Sequence, residues 1–296
     1  MKASFVIVNY NRRDELLITI QKTKDLVANY KEQYEIVIVD NGSTDGSAEA
    51  VATQHPDVVL LAQKVNTGAP AWNYGFDAAK GDYFIIIDDD SHIESGLEDA
   101  MYYMDAHPKI GVLALNVLTG PYTSAGWNMQ EDKNIIGFIG CGAVLRRETY
   151  EKIGGYADWI FLYVNEWDYG LRCTNAGYTV QYYDNCKVIH RTSSLNRTTK
   201  RLKVLVTKHE LGIVYKHFST HRWKYMGRIM FTNLKVIKGL SFKDAWWSVL
   251  GALQFLKMRS SLVRTPVSAD AQALYVKAFP GTRNSVFAFL NKSSKS

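Results

Sequence analysis

The sequence predicts an α/β protein built on a sheet of mainly parallel strands covered on both faces, and three observations carry that expectation. Short apolar runs alternate with helix-length amphipathic segments through the first half of the chain. The runs are apolar throughout, whereas strands open to water on one face alternate apolar with polar residues. The 296 residues are 47% hydrophobic and 22% charged with only 6 Pro, which suits one large packed domain or one domain with an appendage. That composition excludes a disordered or collagen-like chain.

Taken in order, Ser4–Val8 is a β-branched apolar run stopped by Asn9-Tyr10-Asn11, and it predicts the first strand. Residues 14 to about 29 place Leu16, Leu17, Ile20, Leu26 and Val27 on one side of a helix. Glu35–Val39 predicts a second strand that ends at Asp40-Asn41-Gly42-Ser43, and a helix to Thr53 starts in the following Thr44-Asp45 cluster. Val58–Leu61 is the third strand, Pro70–Ala79 a helix, and Tyr83–Ile87 a fourth strand running into Asp88-Asp89-Asp90. Further on, Gly111–Leu118, Tyr178–Tyr183 and Lys187–His190 read as strands. The run Gly140-Cys141-Gly142-Ala143 permits close backbone approach, to a ligand or to a neighbouring strand. After Arg191 the pattern turns helical. Ser241-Phe242-Lys243-Asp244 has capping-box spacing, and Trp246, Val249, Leu250, Leu253 and Leu256 follow at helical intervals. The tail from Asn291 to Ser296 is the only low-complexity piece.

Cys141, Cys173 and Cys186 are too few for a disulfide framework and match no zinc spacing, so they are expected as small buried apolar residues. The N-terminus lacks the pattern of a signal peptide, and the longest apolar stretch, Ala245 to Leu256, falls short of the ~18 residues needed to span a bilayer. A cytoplasmic protein, peripheral at most on the inner face of the membrane, is expected. The net charge of +6 conceals a division. Residues 1–190 carry 15 Lys and Arg against 26 Asp and Glu, while residues 191–296 carry 20 against 3. An acidic part suited to cations and a basic part suited to something anionic follow from this, or else a basic solvated surface docked on the acidic part.

In such a sheet, ligands bind beyond the carboxyl ends of the strands. Polar residues gather there: Asn9-Tyr10-Asn11, Asp40-Asn41 and Asp88-Asp89-Asp90. No Gly-rich dinucleotide or phosphate loop follows the first strand, which counts against dehydrogenases and P-loop enzymes. Three consecutive carboxylates repel unless a cation neutralises them or they splay into water. Alternation along a strand would send Asp88 and Asp90 one way and Asp89 the other. Mg²⁺ or Mn²⁺ suits such oxygen ligands.

Several stretches in sequence order together resemble the family 2 glycosyltransferases of GT-A fold. They are Val6–Asn11, Ile36–Ser47, Asn66-x-Gly68 with Asn73, Gly81-Asp82-Tyr83 leading to Asp88–Asp90, Gly140–Ala143 with Arg146, Gly154-Gly155-Tyr156, Asn165–Asp168 with Arg172, Gly177-Tyr178 and Val188-Ile189-His190. The resemblance covers about the first 190 residues. It implies a Rossmann-like, mostly parallel nucleotide-binding sheet and inverting transfer from a nucleotide-diphosphate sugar with a divalent metal, Mn²⁺ or Mg²⁺. By position it implies that Tyr10 flanks the base, Asp40 hydrogen-bonds it and Asp88 meets the ribose, with Val8, Asn11, Asn66, Asn73 and Asp89 in the donor site. Asp90 would ligate the metal, and His190 would add a ligand or a diphosphate contact. Thr67 and Pro70 stand where relatives often carry a basic residue, so a UDP- or dTDP-linked donor stays open.

The family usually carries Glu-Asp-x-Asp before the Arg matching Arg172, with the first Asp as base. Counting back puts Glu166 at that position, Asp168 at the second Asp and Asn165 at the leading Glu. Glu166 and Asp168 are therefore the base candidates, with Glu166 preferred and Asp168 expected to partner Arg172. Because a diphosphate leaves readily, one base suffices, unlike the carboxyl pair of a glycosidase. Trp127, Trp159, Tyr163 and Trp167 suit either sugar stacking or core packing.

The division expected is a glycosyltransferase domain over 1–195 and a basic, mainly helical region over 196–296 that contacts acceptor, membrane or a second copy of the chain. Between Arg191 and Arg264, 16 Lys and Arg stand against Glu210 and Asp244, with aromatic residues interleaved. That pattern suits an anionic membrane surface or a packed core with a basic exterior, and no nucleic-acid-binding module is recognisable in it. A glycan or lipid-linked acceptor in surface polysaccharide synthesis is the expected substrate. A sugar nucleotidyltransferase, or a non-catalytic nucleotide- or glycan-binding protein, is the alternative.

Overall fold

The computed structural model describes residues 1–119, 123–124, 134–191, 198–235 and 242–279. Trp127, Ser241 of the capping box and the 291–296 tail lie outside them. The chain begins with β1 (Ala3–Asn9), α1 (Arg13–Leu26), β2 (Tyr34–Asp40), α2 (Ser47–Gln54), β3 (Val59–Ala62), α3 (Ala71–Ala78) and β4 (Tyr83–Asp88). This is the order expected from the apolar runs. Then come β5 (Ser91–Ser95), α4 (Leu97–Ala106), β6 (Ile110–Thr119), β7 (Thr123–Ser124), β8 (Asn134–Ile135) and β9 (Ala143–Arg146). They are followed by α5 (Arg147–Ile153), α6 (Asn165–Asn175) and β10 (Thr179–His190), where two separate strands were expected in place of β10. The described C-terminal residues form α7 (Thr199–His217), α8 (Arg222–Lys235), α9 (Phe242–Met258) and α10 (Ala269–Ala278).

The strands form one sheet in the order β3-β2-β1-β4-β9-β6-β10-β5, with β7 on β6 and β8 on β10. Its first half is parallel, as β1 pairs with β2 and β4, and β2 with β3. Beyond β4 the mostly parallel expectation holds only in part, since β10 pairs parallel with β6 while the other strands there run antiparallel. There β9 runs antiparallel between β4 and β6, and β5 lies antiparallel on β10. The sheet is mixed because the short strand β9, reached through Gly142-Ala143, slots between β4 and β6 and runs against both. Gly142 lies so close to Val117 that a Cβ there would come within 2.5 Å of its Cγ2.

Apolar side chains fill both sides of the sheet. Phe5, Ile7, Ile38, Ile85 and Ile87 point into one core, and Val6, Val37, Phe84 and Ile86 into the other, as the period of two requires. A third core joins α6 to the C-terminal helices: Ile160, Val164, Trp167 and Leu171 pack with Leu211, Phe218, Phe255, Tyr275 and Phe279. The basic helices are thus held to the acidic half by an apolar interface. Among the described residues, no helix is long and apolar enough to cross a membrane.

A carboxyl of α7 is buried in that helical core. Glu210 on α7 accepts a hydrogen bond from Asn233 Nδ2 at 3.1 Å, and burial pushes its pKa up to about 8. A carboxyl whose folded pKa exceeds its ordinary value of 4.5 keeps its proton in the fold while the unfolded chain ionises. Stability therefore falls as pH rises from the ordinary value towards the folded one. Glu210→Gln keeps the acceptor for Asn233 and removes this loss. Thermal unfolding across pH 5 to 8 is expected to show the variant gaining on the parent as pH rises, by on the order of 2 kcal/mol at the upper end.

Candidate active site

Parallel pairing sets the carboxyl ends of three strands side by side. Asn9 on β1 lies opposite Asp40 on β2, and Val8 lies opposite Asp88 on β4. Val8 is itself buried and packs with Val39 and Ala71 beside these strand ends. Asp40 is buried, with Oδ1 accepting from Asn9 Nδ2 at 2.8 Å and Oδ2 from the Ser43 amide at 3.1 Å. Asn11, in the left-handed region at φ 54°, accepts from the Thr44 amide at 2.7 Å, and its own amide donates to Ser43 Oγ. These bonds lock the Tyr10 and Ser43 loops together above the sheet.

The Asp88–Asp90 alternation expected from the sequence does not hold, because extended backbone ends at Asp88 and the next two residues turn. Asp89 and Asp90 share one cation instead. Arg12 Nη1 donates to Asp89 Oδ1 at 2.9 Å and to Asp90 Oδ2 at 2.6 Å. Burial pushes Asp89 up to about 7, against the pull of Arg12 and with Asp88 and Asp90 adding to the rise. Arg12 was absent from the residues expected here. Its pairing spans 77 positions along the chain, and the only local signal was a cation directly after Asn9-Tyr10-Asn11. Tyr10 touches the same group through its amide, 3.3 Å from Asp89 Oδ2.

The end of β10 completes the cluster. His190 pairs in register with Ser91, and the Arg191 amide donates to the Asp90 carbonyl at 2.9 Å. His190 Nε2 comes 3.0 Å from Asp90 Oδ1, yet it is buried and makes no hydrogen bond. Asp88, Cys141 and His190 bring an oxygen, a sulfur and a nitrogen within 4.8 Å of one another. A buried imidazole nitrogen that faces a carboxylate without hydrogen-bonding it suits a position shared with a cation. Mg²⁺ and Mn²⁺ prefer carboxylate oxygen to thiol sulfur, so Asp88 and His190 are the donors of that group that suit them, with Asp90 Oδ1 beside His190. Cys141 is buried, as expected of an apolar residue, and lines the group.

Glu166 stands in the first turn of α6, after two residues in left-handed backbone, Tyr163 at φ 66° and Val164 at φ 56°. A β-branched residue there is strained, and such strain persists only where surrounding contacts fix it. Gly140 makes room for the carboxylate, since a Cβ at that position would lie 2.5 Å from Glu166 Oε1. Burial pushes Glu166 up to about 7, with the charge of Asp88 adding to the rise.

Asp168 faces away from this group. Arg172 Nε donates to its Oδ2 at 2.8 Å, and His217 Nε2 lies 2.9 Å from its Oδ1. Burial alone would raise the Asp168 pKa, but Arg172 and His217 hold it well below the usual carboxylate range. Arg172 also donates to the Ile153 and Gly155 carbonyls, tying the Gly154-Gly155 loop to α6. Asn73 serves the same loop: its amide oxygen accepts from the Tyr156 amide, and its amide nitrogen donates to the Tyr156 carbonyl, each at 2.8 Å. Asn66 holds Asn41 Nδ2 at 3.1 Å and the Gly68 amide at 2.9 Å, beside the donor loops. Of the aromatic residues named from the sequence, Trp167 packs on Phe279 and Tyr275, and Trp159 on His209 and Gly212. Both belong to the joint with the helices.

The two carboxylates therefore differ in kind, and substitution separates them. Asp168→Asn leaves Arg172 and His217 facing a neutral amide, and is expected to cost about 3 kcal/mol of stability in denaturant titration. Glu166→Gln removes a carboxyl whose ionisation the fold already opposes, and is expected to leave stability unchanged or slightly raised.

Comparison with known proteins agrees with this geometry. A family model described as "Glycosyl transferase family 2" matches residues 4–168. A poly(ribitol-phosphate) beta-glucosyltransferase of Bacillus spizizenii is 36% identical over 103 residues, 32% of this chain and 16% of that protein. An N-acetylglucosaminyl-diphospho-decaprenol L-rhamnosyltransferase of Mycobacterium tuberculosis is 23% identical over 203 residues, 52% of this chain and 66% of that protein. The chain thus spans less than two thirds of either relative. Among solved structures, a mannosyltransferase from Pyrobaculum calidifontis in complex with GDP-Man and Mn²⁺ matches 93% of this chain and 79% of its own, with TM-score 0.59 and 19% identity. S. aureus TarS 1-349 in complex with UDP-GlcNAc matches 93% and 84%, with TM-score 0.60 and 15% identity. At these identities the structures establish the fold: a mixed α/β sheet of GT-A-like glycosyltransferase type. With its matched segment covering more than half of its residues, the chain belongs to glycosyl transferase family 2.

Proposed function

We propose that the protein is an inverting glycosyltransferase that moves a sugar from a nucleotide-diphosphate donor to a hydroxyl of a glycan or lipid-linked acceptor. The observation that carries this is a carboxyl poised near neutrality, Glu166, within the electrostatic reach of Asp88 at the carboxyl ends of β1, β2 and β4. The proposed division is a catalytic unit over 1–195 and an acceptor- or membrane-facing region over 196–296.

In this reading, the Tyr10, Asp40 and Asn66 loops receive the nucleoside, and Asp88 faces the ribose. Asp88, Asp90 and His190 would hold Mn²⁺ or Mg²⁺, which as a Lewis acid neutralises charge on the departing diphosphate. Glu166 takes the proton from the acceptor hydroxyl as its oxygen attacks the anomeric carbon from the face opposite the diphosphate, which inverts the configuration. A base with pKa near the working pH combines a useful ionised fraction with adequate basicity. The diphosphate leaves as an anion, so no protein acid is required, and Asp168 is left to position α6. Relatives named for transfer to polymer and lipid-linked acceptors support the acceptor class proposed here.

The exposed faces of α8 and α9 favour peripheral contact with an anionic membrane. Phe242 is 98% exposed, Trp246 56% and Trp223 57%, beside Arg222, Lys224 and Arg228. Exposed aromatic residues flanked by cations suit the interface of a membrane rich in anionic lipid.

One set of assays tests this function. Nucleoside diphosphate release is followed from UDP-, dTDP- and GDP-sugars with Mn²⁺, Mg²⁺ or EDTA, and the protein is sedimented with anionic vesicles at low salt. Metal-dependent release from one donor is expected, lowered about 100-fold or more by Asp90→Asn and by Glu166→Gln, together with pelleting that Trp246→Ser weakens. Donor binding that neither EDTA nor Asp90→Asn alters would contradict the site. Failure to pellet would contradict the membrane contact alone.

A further inference from the structure

A cavity of about 470 Å³ lies where the helical region meets the sheet domain, lined by Phe161, Thr198, Lys200, Arg201, Val204, Leu205, Leu250 and Gln254. Its size is that of a small-molecule site. Phe161 belongs to the sheet side: its carbonyl accepts from the Ala69 amide at 2.7 Å, and Gly68 packs directly on it. The cavity is therefore anchored to the same 66–70 loop that borders the proposed donor site. The other walls come from α7 and α9, so the joint itself creates the space.

The lining divides by chemistry. Lys200, Arg201 and Thr198 stand together at the start of α7, and among the described residues no carboxylate lines the cavity. The Arg201 guanidinium lies 5.4 Å from the centre of the Phe161 ring, which sets it at this end of the cavity. The first amides of a 19-residue helix add partial positive charge at the same end. Opposite this cationic end, Phe161, Val204, Leu205 and Leu250 supply apolar wall.

α9 shows where an apolar ligand would continue. At 100° per residue, Leu250 and Gln254 flank a face that carries Phe242, Trp246, Leu253 and Leu256, all of them large and about half exposed or more. The cavity wall and the exposed row are neighbouring strips of one helix surface with Lys257 between them, so a chain leaving the cavity passes the Lys257 stem and then meets apolar side chains. We propose that this cavity binds the phosphate end of an amphiphile, an alkyl or isoprenyl phosphate, with Lys200 and Arg201 on the phosphate and Leu250 and the α9 row along the chain. The proposal rests on the glycosyltransferase reading in one respect: such an amphiphile is the anchor of the acceptor, seated beside the donor loops.

The probe is decyl phosphate below its micelle concentration, titrated calorimetrically, with decanol and inorganic phosphate as separate arms. One site per chain is expected, with decyl phosphate binding about tenfold or more tighter than either arm. Lys200→Ala, an exposed position that the fold does not need, is expected to weaken it severalfold, and Lys200→Ala with Arg201→Ala about tenfold or more. Equal binding of decanol would overturn phosphate recognition, and equal binding of inorganic phosphate would overturn chain recognition. Unchanged affinity in the double variant would overturn the site. Donor hydrolysis read in the same preparations keeps the two proposals apart. Hydrolysis without decyl phosphate binding sinks the cavity alone, and binding without donor binding or hydrolysis sinks the transferase reading alone.

Discussion

Three carboxylates at the end of one buried strand repel one another, and positive charge set among them is what the upper edge of this sheet is arranged to supply. Arg12 supplies the charge by bridging Asp89 and Asp90. Its placement depends on β1 ending at Asn9, beside Asp40, and on the left-handed turn at Asn11 that carries the chain back over the acids. A second arginine braces the cluster from behind. Arg191 donates to Glu15 and Thr19, and Thr19 donates to the Asp89 carbonyl at 2.7 Å. Helix α1, the acidic turn and the end of β10 thus form one hydrogen-bonded unit. The arrangement suits a site that must accept a cation and a diphosphate, since an internal cation keeps the carboxylates close before either arrives.

The second organising feature is α6, which faces two ways. Its first turn presents Glu166 to the acidic cluster, while Trp167, Leu171 and Asp168 turn into the helical region. Two adjacent carboxyl residues on one helix thereby acquire opposite character. Glu166 is partly buried with its charge opposed by Asp88, and Asp168 is buried but ion-paired. The basic C-terminal helices thus help fix the direction in which the proposed base points, through His217 and the aromatic contacts of Trp167. Much of their positive charge stays exposed, as at Lys200, Lys224, Arg228 and Lys257.

Much of this was legible in the residues. Apolar runs that end abruptly in Asn9, Asp40 and Asp88 announced parallel strands with their carboxyl ends aligned, because buried strands tolerate polar groups only where the sheet stops. The segment Asn165–Asp168 before Arg172 marked the proposed base through its resemblance to the family pattern. Less was legible where one pattern admits two structures. Gly140-Cys141-Gly142-Ala143 suits ligand approach as well as a strand wedged between neighbours, and here Gly140 accommodates Glu166 while Gly142 lies against Val117. The alternation assumed for Asp88 to Asp90 failed because period two holds only in extended backbone. Arg12, His217 and the cavity beside Phe161 could not be foreseen, since each depends on contacts between segments distant in sequence.

The most direct measurement is a crystal structure with Mn²⁺ and a uridine or thymidine diphosphate, with anomalous scattering used to place the metal. The metal is expected among Asp88, Asp90 and His190, with Arg12 withdrawn from Asp90. A metal bound elsewhere, or a bound diphosphate with both Arg12 ion pairs intact, would contradict the assignment of this acidic edge as the donor site.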